Sequence, residues 1–109
     1  MSAKRVIARE LANRDVEKAV EFYLREQASH AALDFIGALQ RAHNHIGRHP
    51  ASGSPRYAHE LNLPGLRAWP LSRFRYIVFY VERSDHVDVW RVLNAERDIP
   101  AWMRESDAL

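Results

Sequence analysis

The chain has 109 residues, enough for one core and too few for two independent ones. Hydrophobic residues make up 47% and charged residues 28%, a balance that excludes a disordered chain and predicts one domain over residues 1–109. The lack of cysteine excludes disulfides, thiol catalysis and cysteine-ligated zinc, and 16 Lys+Arg against 14 Asp+Glu leave only +2, so the placement of charge matters more than its sum.

Met1 to Glu10 carries Lys4, Arg5, Arg9 and Glu10 and lacks the apolar stretch of a secretory signal. No run approaches the roughly 18 apolar residues of a spanning helix. Both features predict a cytoplasmic protein with no membrane contact. Lys4 to Leu11 reads as a first strand carrying Val6, Ile7, Ala8 and Leu11. From Asn13 the period changes: Val16, Val20, Tyr23 and Gln27, with Ala19 and Leu24 alongside, recur as an amphipathic helix requires. Asn13 is its predicted N-cap, with Asp15 and Glu17 against the positive end of the helix dipole. Ser29 is the predicted cap of a second helix whose stripe is Phe35, Leu39, Ala42 and Ile46, widened by Ala32 and Ile36 and ended by Gly47 and Pro50. The short link between the helices predicts an antiparallel αα-hairpin.

Pro50 to Pro64 is punctuated by Pro50, Gly53, Pro55 and Pro64 and reads as loop. Leu66 to Leu71 then reads as a strand that bulges or frays at Pro70. Phe74 to Val81 is apolar on both faces, which predicts a central strand covered on both sides. Ser84-Asp85 makes the turn into a third strand, Val87 to Leu93, and Asp98 starts a short last helix with Pro100 in its first turn. The fold class is therefore α+β: an N-terminal strand, an αα-hairpin, a three-stranded antiparallel meander and a short C-terminal helix.

The runs Pro64-Gly65-Leu66-Arg67-Ala68-Trp69-Pro70, Phe74-Arg75-Tyr76-Ile77-Val78-Phe79-Tyr80 and Arg91-Val92-Leu93-Asn94-Ala95-Glu96-Arg97-Asp98-Ile99-Pro100 resemble the C-terminal half of ParE-type toxins. The hairpin residues Ala19, Tyr23, Phe35, Leu39 and Ile46 and the turn from His49-Pro50 to Gly53 match in order and spacing, so the resemblance covers nearly the whole chain. It departs at Asn94, where the family often has histidine; a carboxamide there keeps a hydrogen-bonding role and loses a proton-transfer one. The resemblance implies the toxin of a type II toxin–antitoxin pair of the kind associated with plasmid stabilisation. It implies neutralisation by a cognate ParD-like antitoxin of ribbon-helix-helix type, which alone would touch DNA. ParE-type toxins bind DNA gyrase without chemistry; the related RelE branch cuts mRNA on the ribosome, and a non-toxic co-repressor is a third possibility. The shared fold does not choose among these.

Metal-free RNA cleavage needs an acid, a base and cations around the phosphorane. Arg67, Arg73, Arg75, Arg91 and Arg97 supply cations, and Tyr76 or Tyr80 a stacking ring. RelE-type enzymes use a lysine-rich strand region and a C-terminal tyrosine, whereas here the only lysines are Lys4 and Lys18, and no tyrosine follows Tyr80. No histidine lies between Leu61 and Asp85. A binding toxin with no catalytic residue and no cofactor is therefore the expectation. Its target or antitoxin surface is assigned to Arg67, Trp69, Arg73, Arg75, Arg91, Asn94, Arg97 and Trp102. Arg67 and Arg91 lie in strands, so at least one is expected on an open sheet face, to receive an acidic antitoxin tail or pair with Asp88. Trp90 is expected against a helix, Trp69 and Trp102 partly exposed, and Asp98 as an N-cap. His43, His45 and His49 read as surface residues at the negative end of a helix dipole, with no metal.

Overall fold

Strand β1 (Arg5–Ala8) runs directly into helix α1 (Glu10–Arg25), which is followed by helix α2 (Ser29–Arg48). The computed structural model describes residues 3–26 and 28–104. Gln27, placed on the first helical stripe, lies outside the described residues. The predicted strand is shorter than expected and the helix earlier, for one reason. Arg9 still donates its N–H to Val89 O, while its own carbonyl accepts from Asn13 N–H, so the chain switches from sheet to helix at that residue. Asn13 therefore lies inside the helix, and Glu10 supplies the acid of its first turn. Ser29 likewise opens α2 from within; Ala28 holds the cap position without a side-chain bond.

The hairpin packs as the stripe of α2 requires, with Phe35, Leu39, Ala42 and Ile46 all buried. Its apolar arc is narrower than the sequence suggested. Leu24 is 54% exposed and Ile36 36%. The buried contacts of α1 are small, Ala12 and Ala19, so the helix lies close to the sheet and leaves its flanks in water.

Pro50 to Pro64 is not a loop throughout. A 3-10 turn (Pro50–Ser52) precedes helix α3 (Arg56–Leu61), which ends on left-handed Asn62 at φ 54°. Pro55, read as a loop signal, stands just before the first helical turn, where proline is tolerated. Strands β2 (Leu66–Pro70), β3 (Tyr76–Glu82) and β4 (His86–Asn94) form the expected meander, and helix α4 (Ile99–Arg104) closes the described chain. The sheet order is β1-β4-β3-β2, antiparallel except for β1, which joins β4 in parallel. The sheet is thus mixed and four-stranded, with β3 and β4 in its interior. Pro70 sits on the edge strand, where its missing donor is harmless.

Both faces of the sheet are covered, as the two-sided apolar β3 predicts. Val78, Tyr80, Val87, Val89 and Val92 meet the hairpin. Leu66, Phe79, Val81, Trp90 and Leu93 meet Tyr57, Ala58 and Leu61 from α3 and Ile99 and Met103 from α4. A bulge allows this division. Phe79 pairs with Arg91 but Tyr80 with Val89, leaving Trp90 as the extra residue. The alternation of β4 therefore changes phase, and Val89 and Val92 share a face although they are an odd number apart. Tyr80 ties the long connection to this sheet: its hydroxyl donates to Pro50 O at 2.8 Å and accepts from Gly53 N–H at 3.0 Å. A Cβ on Gly53 would lie 2.5 Å from that hydroxyl, so only glycine fits. No helix among the described residues is long and apolar enough to cross a membrane.

Candidate functional site

The C-terminal ends of α1 and β4 frame a cleft of about 320 Å³, closed on its third side by α4. A tight turn shapes it. Asn94 Oδ1 accepts Glu96 N–H at 2.9 Å, and Asn94 O accepts Arg97 N–H at 3.0 Å, an Asx-type turn that brings Arg97 back over the strand end. Asp98 then caps α4 by accepting Ala101 N–H at 3.2 Å, as expected from its place before Pro100. The cap sets the phase of a one-and-a-half-turn helix and so directs Trp102 into the cleft.

Trp102 stands between two guanidinium groups, with Arg97 5.1 Å and Arg91 5.6 Å from its ring centroid. Only Arg97 is exposed. Arg91 is 2% exposed and donates from Nε and Nη2 to the Asp15 carboxylate, both at 2.7 Å, and from Nη1 to Trp102 O at 2.8 Å. Asp15 also accepts Val92 N–H at 3.0 Å, where the bulge has disturbed the ladder. The buried pair therefore joins α1, β4 and α4 at the cleft floor. The walls add Lys18, Glu21, Phe22 and Arg25 from α1 and Tyr76 from β3, so charged side chains and aromatic rings border the opening together.

Of the sequence-assigned residues, Asn94, Arg97 and Trp102 line this cleft, with Arg91 beneath them, and Arg75 pairs with Glu96 at its rim. Arg73 lies outside the cleft lining, in the exposed β2–β3 turn with a left-handed φ of 71°. Arg67 and Trp69 are at the opposite edge of the sheet. Arg67 Nη1 donates to Gly53 O at 2.8 Å, and Trp69 stacks on His45 with centroids 4.2 Å apart. No open sheet face carrying Arg67 or Arg91 exists, because α3 and α4 occupy the face away from the hairpin. Nor does either arginine pair with Asp88, whose partners are Arg9 at 2.7 Å, Arg83 at 3.0 Å and the Trp90 indole N–H at 3.1 Å. Sequence reasoning missed Asp15, Lys18, Phe22 and Arg25. A signal for Asp15 was present: an acid three residues after Ala12 and four before Ala19 falls on the buried stripe, where it requires a cation.

Burial would raise the Asp88 carboxyl, but hydrogen bonds from Arg9, Trp90 and Arg83 outweigh it and hold the group at about 2. A carboxyl depressed in the folded state stabilises the fold above its ordinary value of 3.8 and loses that contribution as pH falls towards 2. At most about 2 kcal/mol is involved. Urea unfolding across that window should show wild-type stability falling more steeply than that of Asp88→Asn, and parallel curves would refute it.

Burial also lowers the His43 imidazole, while His45 Nε2 lies 3.1 Å from Ser52 Oγ. His43 and His45 are thus part of the packing rather than a free surface row. Among the described residues, no three His, Asp or Glu side chains gather to hold a metal.

Known proteins give the same arrangement a family. The family described as ParE toxin of type II toxin-antitoxin system, parDE, matches residues 6–99. A solved structure of the chromosomal ParDE TA system from P. aeruginosa superposes with a TM-score of 0.70, covering 84% of this chain and 96% of that chain. At 14% identity this likeness establishes the fold alone. No curated protein sequence matches the chain. The family match spans β1 through the start of α4, the hairpin, the meander and the Asn94–Asp98 turn included, and on that ground the chain belongs to the ParE toxin family of type II toxin–antitoxin systems.

Proposed function

We propose that this cytoplasmic ParE-family protein acts by binding rather than by chemistry, that its target is a gyrase-type topoisomerase, and that a cognate ribbon-helix-helix antitoxin holds it inactive. One observation carries the reading. Beneath the cleft Arg91 is engaged by Asp15 and the Trp102 carbonyl, while at the opening the exposed Arg97 lies over the Trp102 indole, with Lys18 and Arg25 also in the lining. A guanidinium stacked on tryptophan suits the anchor of a protein interface, where such residues dominate binding energy. Contact with DNA would come only through the antitoxin.

This reading predicts graded losses. Arg97→Ala and Trp102→Ala should each weaken inhibition in a gyrase supercoiling assay by about 1–2 kcal/mol, roughly five- to thirtyfold. Inhibition unaltered in both variants would remove the cleft from the target interface.

The runner-up, a RelE-type mRNA interferase, gains from Lys18 and Tyr76, which line the same cleft and supply groups the linear sequence had left apart. Its signature differs: substitution of one proton-transfer group lowers the rate by about two orders of magnitude or more while binding survives. Ribosome-dependent mRNA cleavage abolished by Lys18→Ala or Tyr76→Phe would replace the gyrase reading. Arg91 is removed from the proposed antitoxin surface, because reversing its charge would test folding instead of recognition.

A further inference from the structure

Helix α2 buries one face and leaves the opposite one in water. Phe35, Leu39, Ala42 and Ile46 turn inward. Leu33, Gln40 and Asn44, with Gly37 between them, recur at helical spacing on the far side, and the first three are exposed. Leu33 is 67% exposed and is the apolar centre of this ridge, with Ile36 bordering it one turn on. Asp34 and Arg41 stand about two turns apart along one flank of the same ridge. Both are exposed, and among the described residues neither forms an ion pair. The Arg41 guanidinium reaches over Gly37, 3.3 Å from where a Cβ would stand, close to the midpoint between the two charges. No residue of α2 lines the Arg97–Trp102 cleft, so this face is separate from it.

We propose that this face pairs with the same face of a second copy of the chain, α2 against α2, antiparallel about a two-fold axis near Gly37. The order of the charges carries the assignment. Antiparallel pairing sets Asp34 of each copy against Arg41 of the other, twice by symmetry, whereas parallel pairing sets like against like. A purely acidic or purely basic partner leaves one of the two charges facing its own sign. Gly37 has no side chain at the crossing, so the two backbones approach closely. Leu33 then covers the methylene stem of Gln40 across the interface, and Ile36 meets its own counterpart. One helix pair buries less than the roughly 1,200 Å² of a standard interface, so the dimer is weak and assembles in the micromolar range. Both clefts stay open, which makes the dimer a bivalent form of the protein. Dimerisation through α2 does not depend on which target the cleft meets.

Sedimentation velocity of the full chain from about 5 to 500 µM should show its average mass climbing towards that of a dimer. Leu33→Glu, a surface change, should raise the dissociation constant at least about tenfold. Asp34→Arg alone should do the same, because each dimer then holds two pairs of like charge. Asp34→Arg combined with Arg41→Asp reverses both members of each pair and should return the constant to within about threefold of wild type. Thermal melts confirm that every variant is folded. Restoration by the swap is specific to this arrangement, since a partner of another kind would meet two wrong charges instead of one. The proposal is overturned if the chain stays monomeric across the range, if Leu33→Glu leaves the dimer intact, or if the charge swap fails to restore it.

Discussion

Asp15→Ala is expected to destabilise the fold by about 3–5 kcal/mol, the range for breaking a buried ion pair by removing one partner. The side chains of Asp15 and Arg91 are 6% and 2% exposed, so the arginine left behind keeps its charge with almost no water to solvate it. The loss is larger than a single bond because the carboxylate accepts three: two from Arg91 and one from Val92 N–H. Urea titration at neutral pH measures it, and a change below about 1 kcal/mol would show that the pair is effectively solvated. The double variant Asp15→Leu with Arg91→Leu distinguishes a desolvation cost from a packing loss. Replacing both charges with apolar groups should restore most of the stability, since no buried charge remains unpaired. The same variants bear on function. Arg91 also holds the Trp102 carbonyl, so its release in Asp15→Ala should speed amide exchange in α4 and, on the proposed binding function, weaken gyrase inhibition beyond what lost stability explains.

Phe35→Ala should cost a similar amount, about 3–5 kcal/mol, by a different mechanism. The ring is 0% exposed and lies at the centre of an aromatic cluster, with centroids 5.1 Å from Tyr76, 5.5 Å from Phe74 and 5.8 Å from Tyr23. Truncation leaves a cavity that three stiff rings fill poorly, because their own positions are fixed by the strand start and by α1. For a chain of this size the melting temperature should fall by about 15 °C or more, and a shift under about 5 °C would place the ring outside the core. Phe35→Leu should recover much of the loss. Tyr76 is both a neighbour of Phe35 and a wall of the cleft, so the alanine variant should also weaken target binding at temperatures where it remains folded.

Local chemistry made much of this protein legible before its structure. The stripe Phe35–Leu39–Ala42–Ile46 could satisfy only a helix with one buried face, and the two-sided apolar run around Val78 to Val81 only an interior strand. Asp98 before Pro100 could be read as a cap because both residues act within one helical turn. The ordered motifs from Pro64 to Pro100 carried the family resemblance for the same reason: each is a short-range pattern. Helix α3 was hidden because three prolines and a glycine suggested loop, and the apolar positions that signal it, Tyr57, Ala58 and Leu61, fill barely two turns.

What the sequence could not settle is which distant residues share a surface. Arg67, Trp69, Arg91 and Trp102 looked alike as cations and aromatics near strands, yet strand order sends the first two to the β2 edge and the last two to the side of α1, where Arg91 meets Asp15. The parallel return of β1 beside β4 has no local signature, since pairing Ile7 with Asp88 depends on the crossover of the whole hairpin. Arg91, expected as an open-face cation, is instead the buried partner of Asp15 and holds the Trp102 carbonyl, because only the packing of α1 and α4 against β4 brings these residues together.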